Sequence, residues 1–273
     1  MARRRAAAMV CGCLLAWSHG HAWAATESFD CLMNPSATLK IGSPVESTLE
    51  SVSVGRGDHV TKGQEIARLV SSVEAATVAL DETRAGNLAE IKSRVARVEA
   101  AQAEVNRGSR LQEGFSVTAQ KLDELRTQLR LAQQDLALAE LNHTVAQLEL
   151  ARSQAQLAQR VIRSPVDGII SQRVLGPGEF VHQDNQIVVV ATIDPLFVEV
   201  YPPVRFYGLI RRGDVATVQP EAPVGGSYSA TVAVVDQVFD AGSGTFGIRL
   251  ALPNPDQRLP AGLRCRAVFT VGE

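Results

Sequence analysis

IGSPVESTLESVSVGRGDHVTKGQEIARLV, residues 41–70, is followed 121 positions later by IRSPVDGIISQRVLGPGEFVHQDNQIVVVA, residues 162–191. Ile41 aligns with Ile162, Ser43-Pro44-Val45 with Ser164-Pro165-Val166, and Glu46 with Asp167. Gly55-x-Gly57-Asp58 aligns with Gly176-x-Gly178-Glu179, Val60 with Val181 and Ile66 with Ile187, without a gap over 30 residues. A self-match of this kind marks a duplicated structural unit. Each copy reads as short strands, with Val52 and Val54 alternating with serines and Ile169, Val174 and Val181 set among turns. The Gly-x-Gly pairs supply the positive backbone angles that tight turns require. Neither copy has enough strands to bury a face alone, so the two are expected to pack as one pseudo-symmetric sandwich. One position departs from the repeat: Ser47 stands where the second copy has Gly168, which predicts a slightly altered turn.

The copies are separated by a different regime, residues 73–158, with no Pro, Trp or Tyr and with Phe115 as its one aromatic. Ala, Leu, Gln, Glu and Arg dominate it, all good helix formers. Two long helices are predicted. The first opens at Ser71-x-x-Glu74, a capping-box pattern, carries an apolar seam of Leu88, Ile91, Val95, Val98 and Val105, and ends near Gly114. The second starts after Thr118, whose hydroxyl can cap free backbone N–H groups. Its seam runs Leu122, Leu125, Leu129, Ala132, Leu136, Ala139, His143, Ala146, Leu150, Ser153, Leu157, a 3,4 alternation typical of a coiled coil. Leu131, Leu138 and Val145 form a further heptad-spaced row, and Leu141 and Leu148 another pair, so this helix is expected to meet more than one neighbour. A short connection makes the two helices antiparallel. The result is a stiff hairpin projecting from a β body, a poor design for an enzyme and a good one for reaching a distant partner.

Outside this core the chain reads as β after residue 194. Phe246, Ile248, Leu250 and Leu252 alternate, as do Cys265, Ala267, Phe269 and Val271, with turn signals at Asn254-Pro255-Asp256 and Pro260-Ala261-Gly262. A small barrel over 194–271 is predicted. At the other end, Arg3-Arg4-Arg5, the apolar Ala6–Trp17 and Ala22-Trp23-Ala24 read as a secretory signal peptide, residues 1–24, cut after Ala24. An uncleaved anchor and a lipoprotein attached at Cys31 are the alternatives. The formal net charge is −2 and the signal region is basic, so the exported chain is mildly acidic, which argues against a nucleic-acid partner. Export leaves Cys31 and Cys265 as the remaining cysteines. In an oxidising compartment such a pair tends to form one disulfide, here between the N-terminal segment (25–36) and the last strand; two separately buried thiols are the alternative.

Signal, split β repeat, helical hairpin and C-terminal barrel together resemble the periplasmic adaptor, or membrane fusion, proteins (HlyD/AcrA-like) of tripartite efflux pumps. The likeness covers about residues 37–271. Gly57-Asp58-His59-Val60-Thr61-Lys62-Gly63-Gln64 looks like the turn of that family's first lipoyl-like half. Ile162-Arg163-Ser164-Pro165-Val166-Asp167-Gly168 looks like the entry to the second, and Leu252-Pro253-Asn254-Pro255 with Leu259-Pro260-Ala261-Gly262-Leu263 like the end of its barrel. The resemblance implies an α+β protein: a split lipoyl-like barrel-sandwich hybrid (37–72 plus 159–193), the inserted hairpin (73–158) and a small β-barrel (194–271). It implies a non-enzymatic, periplasmic role between an inner-membrane transporter, RND-type or alternatively ABC-type, and a TolC-type outer-membrane duct, in a hexamer. Adaptors that dock on such ducts resemble one another at an Arg, a Leu four later and a Ser seven after that; Arg107, Leu111 and Thr118 keep the spacing. The alternative roles are solvated surface, helix seam and simple cap.

Other chemistry finds little support. Lipoyl and biotinyl carriers present a modified lysine between their halves, where this chain inserts its hairpin, so no covalent cofactor is expected; Lys62, in the preceding turn, reads as solvated surface. His59, His143 and His182 are scattered, and Met33 is the one methionine after the signal, which leaves a metal site unsupported. Asp58 and Glu179 occupy equivalent turns, where a structural role is favoured over paired acid–base work.

Overall fold

The computed structural model describes residues 25–113 and 117–271. The signal peptide and the helix end at Gly114 lie outside the described residues. The chain begins with β1 (Ala25–Gly42), β2 (Ser47–Val52), β3 (His59–Val60) and β4 (Glu65–Leu69), followed by α1 (Ser72–Ala85), α2 (Ala89–Glu113) and α3 (Ala119–Ala158). It returns to strands with β5 (Val161–Arg163), β6 (Gly168–Arg173), β7 (Phe180–Val181) and β8 (Gln186–Val200). The last four are β9 (Val215–Pro220), β10 (Tyr228–Asp240), β11 (Thr245–Leu252) and β12 (Arg264–Val271). These elements form two units, residues 37–192 and a C-terminal β unit made by residues 25–36 with residues 193–271.

In the first unit the repeat folds as one sandwich with near-exact internal symmetry. Ser47↔Val181 and Thr48↔Phe180 join β2 to β7. Their images at the 121-residue offset, Gly168↔Val60 and Ile169↔His59, join β6 to β3. The β2–β4 register, with its bulge between Leu49 and Ser51, is reproduced between β6 and β8. Ile41 and Ile162, Leu49 and Ile170, Val60 and Val181, Ile66 and Ile187 are all buried in one core. A fourfold recurrence of matched buried positions is what two half-sandwiches sharing one hydrophobic interior require. Ser47 and Gly168 both open their strands, and the two turns differ slightly, with a bend at Asp167 that Glu46 lacks. The glycine answers a different demand: a Cβ at 168 would lie 2.6 Å from the Ala191 carbonyl oxygen.

The predicted first helix is two helices. Gly86–Leu88 interrupts it, glycine being poor in helix interiors, and Asn87 Oδ1 accepts the Ala89 N–H at 3.0 Å to start α2. The capping box does not form, because the Ser71 side chain makes no cap bond and Glu74 is drawn to Arg160 instead. The break resets the helical phase. Leu88 and Val95 are therefore exposed, and Arg94 takes the half-buried inward slot, where it reaches Asp135 at 3.0 Å. On α3 the predicted seam is the observed one: Leu122, Ala139 and Ser153 are buried and the seam residues between them are half-buried. At 1.5 Å per residue its 40 residues make a rod of ~60 Å. Contacts Glu74–Arg160 and Arg94–Asp135 fix α1 and α2 antiparallel to it.

The C-terminal β unit orders its strands β1-β12-β9-β10-β11-β8, with every neighbouring pair antiparallel. Phe246, Ile248, Leu250, Leu252, Ala267 and Phe269 point into its core, as their alternation predicts. Asn254, read as a turn signal, is buried. Its amide donates to the carbonyls of Ile193 (3.0 Å) and Leu259 (2.9 Å) and accepts the Leu259 N–H (3.1 Å), so it braces the loop before β12.

Candidate functional site

Arg107 and Leu111 lie in the last two turns of α2, and Thr118 opens α3. They are held at the same end of the hairpin by a close helix–helix approach. Gly108, buried between Arg107 and Ser109, leaves no side chain between α2 and the Leu122 and Leu125 side chains of α3. Seating residue 108 inward turns its neighbour Arg107 to solvent, and Leu111, near the helix end, is 51% exposed. The Arg107 guanidinium pairs with Glu104 one turn back, both side chains about half exposed. A pair so exposed contributes little to stability and is free to exchange for another partner. Thr118 has extended backbone angles, and its Oγ1 accepts the Lys121 N–H at 3.3 Å, the geometry of a helix N-cap. The arrangement offers a fork of donors, an exposed apolar side chain and a capped helix start at one end of the hairpin.

Gly108 was not singled out in the sequence, although an isolated glycine in a helical run often signals a packing need. Two aliphatic faces are also visible. On α3, Leu131, Leu138, Leu141, Val145 and Leu148 are exposed, apart from the buried seam; on α1, Val73 and Leu80 are exposed.

The other candidates fall elsewhere. Cys31 and Cys265 are cross-strand partners of β1 and β12, with Cα atoms 4.8 Å apart and sulfurs at bonding distance. Asp58 Oδ2 accepts the Gly55 N–H at 2.7 Å and Glu179 Oε2 the Gly176 N–H at 2.9 Å, so both acids staple their own turns. Lys62 is exposed, and its backbone N–H donates to Asp167 at 2.8 Å. His143 sits in the α3 seam, with Nε2 3.0 Å from the Gln147 amide nitrogen. The described residues contain no group of three His, Cys, Asp or Glu side chains arranged to hold a metal.

Residues 37–192 match the CzcB-like barrel-sandwich hybrid domain. The nodulation protein NolF of Rhizobium meliloti is 26% identical over 242 residues, 88% of this chain and 61% of that protein. A UPF0194 membrane protein from the asrC 5′ region of Acidithiobacillus ferridurans is 27% identical over 168 residues, 53% of this chain and 50% of its own. The chain thus spans 61% and 50% of these relatives' lengths. Among solved structures, MacA from Actinobacillus actinomycetemcomitans superposes with a TM-score of 0.74 at 18% identity, over 91% of this chain and 79% of that one. A MacA–MexA chimera carrying the Pseudomonas aeruginosa MexA α-hairpin gives 0.58 at 16% identity, over 92% and 83%. These structures share the fold.

Proposed function

The chain belongs to the family of the CzcB-like barrel-sandwich hybrid domain, and on that premise we propose that it is a periplasmic adaptor that links an inner-membrane transporter to a TolC-type outer-membrane duct for export of small molecules. The observation that carries this reading is the hairpin: a ~60 Å rod inserted between the halves of a pseudo-symmetric sandwich, its far end carrying an exposed Arg107 and Leu111. Such a chain makes and breaks no bonds. Its work is to span a distance and present a surface.

Docking runs through the hairpin end. Arg107 exchanges its exposed Glu104 partner for acceptors on the duct, Leu111 enters an apolar notch, and Thr118 caps the start of α3 beside them. Hydrogen bonds of this kind contribute about 1 kcal/mol each, so one hairpin binds weakly and several side by side bind well. A hexamer, implied by the family resemblance, supplies that multiplicity, with the exposed aliphatic rows of α3 as lateral contacts. Export through the signal peptide carries the chain to the periplasm, where Cys31 and Cys265 close into a disulfide.

The test is Leu111→Asp, read by crosslinking from the hairpin end to the duct in intact cells and by export. The expected result is loss of both with helical content unchanged. Normal export and crosslinking in this variant overturn the docking reading.

A further inference from the structure

An open cleft of about 570 Å³ in the C-terminal β unit is lined by Tyr207, Ile210, Arg211 and Arg212 on one side and by Val234 and Gln237 of β10 on the other. No acidic side chain lines it. Neither arginine pairs with a carboxylate among the described residues. The Arg211 side chain donates only to the Gly208 carbonyl, at 3.3 Å. The carboxylates closest along the chain pair with neither arginine. Asp214 accepts the Arg211 backbone N–H at 2.7 Å, Asp236 lies over Gly247 of β11, and Asp240 is held by Gly242 and Ser243 at 2.9 and 2.8 Å.

Exposed apolar side chains flank this basic cleft. Tyr207 stacks edge-on against Phe239 with ring centroids 4.8 Å apart, and both rings remain partly in water. Leu209 and Val234 are exposed, and Val238 is 85% exposed. Paired guanidinium groups beside half-exposed aromatic and aliphatic side chains match the layered chemistry of a bilayer surface, with phosphates outside and glycerol and acyl carbons beneath.

We propose that this cleft is a binding site for anionic phospholipid headgroups, through which the C-terminal β unit rests on the membrane surface. Arg211 and Arg212 take the phosphate, and Tyr207, Leu209 and Val238 enter the interface. The inference is independent of duct docking, since it concerns the isolated chain and a lipid surface. A soluble anion shares the phosphate chemistry but offers nothing to the apolar rim.

The experiment is cosedimentation of the mature chain with phosphatidylglycerol-containing vesicles, compared with pure phosphatidylcholine vesicles and with inorganic phosphate. Binding to the anionic vesicles is expected, weakened by salt. Each of Arg211→Gln and Arg212→Gln should weaken it about fivefold, and the pair roughly 30-fold. Val238→Ser keeps both charges and should also weaken it. Leu111→Asp should bind vesicles as the parent does, which separates failure here from failure of the docking reading. Equal binding to neutral and anionic vesicles, binding of free phosphate without vesicles, or full binding by the double glutamine variant overturns the proposal. So do crosslinks from position 212 in cells that reach protein and no lipid.

Discussion

Gly108 of α2 lies directly against Leu125 of α3: a Cβ at position 108 would stand 2.9 Å from Leu125 Cδ1 and 3.5 Å from Leu122 Cδ1. The near atom ends a flexible side chain, so alanine can be admitted by rotating Leu125. The helix-propensity gain, about 1 kcal/mol, then roughly offsets the crowding. Gly108→Ala should leave thermal denaturation at 222 nm nearly unchanged. Gly108→Leu has no such escape and should cost about 1–3 kcal/mol. It should also weaken duct crosslinking, because it spreads the surface that Arg107 and Leu111 share.

Gly168 faces a harder neighbour. A Cβ there meets backbone, the Ala191 carbonyl oxygen at 2.6 Å, and Val190 Cγ1 at 2.9 Å. Its repeat mate Ser47 carries a side chain whose hydroxyl lies 3.5 Å from the carbonyl oxygen of Val70, the counterpart of Ala191. Gly168→Ser should lower the urea midpoint by an amount equivalent to about 1–3 kcal/mol. Ser47→Gly, the reverse change at the symmetric site, should cost under about 1 kcal/mol.

Cys31 and Cys265 are 234 positions apart. A link across so long a loop removes much freedom from the unfolded chain, up to about 5 kcal/mol in the chain-entropy account. Protein isolated from the periplasm should gain the mass of two hydrogens on reduction. Reductant and the Cys31→Ser/Cys265→Ser pair should both lower its denaturation midpoint. Free thiols on both residues would end the disulfide proposal.

Asp240, at the β10–β11 turn, has its pKa lowered from the ordinary 3.8, first by the Ser243 hydroxyl and then by the Gly242 N–H. A depressed carboxylate stabilises the fold above its ordinary pKa, and that contribution is lost as pH falls through the depressed value. Ser243→Ala removes the largest cause. The carboxyl-carbon NMR titration of Asp240 should then move up toward 3.8. The aromatic contact of Tyr207 with Phe239 should not change with it.

The fold was legible where the sequence states its periods. The 121-residue repeat gave the pairing of both half-sandwiches, and the 3,4 spacing of α3 gave its buried face residue by residue. Legibility failed where a long-range partner outbid a local rule. Ser71-x-x-Glu74 satisfies the capping pattern, but Arg160, 86 residues away, claims the glutamate. Val95 fits the apolar spacing of α2, but Arg94 takes the inward place because Asp135 waits on α3. The hairpin end was readable as three residues at a family spacing. The glycine that brings its helices together was not, since only the facing leucines explain it.

The exposed aliphatic side chains of α3 make the last prediction. Leu131, Leu138, Leu141, Val145 and Leu148 stay in water while a separate seam meets α1 and α2. A helix with two apolar faces and one set of neighbours has a face left for another chain. If hairpins stand side by side, cysteines placed at the exposed positions 141 or 145 should crosslink copies into ladders in cells. Leu138→Glu with Leu148→Glu should abolish the ladders, because two charges would have to be buried in each contact. In the dilute single chain the same substitutions lie at the surface and should move the denaturation midpoint little, by about 0.5 kcal/mol or less. Loss of ladders together with loss of helix would mean that these residues stabilise the hairpin itself. Ladders that survive the double change would assign lateral assembly to the β units.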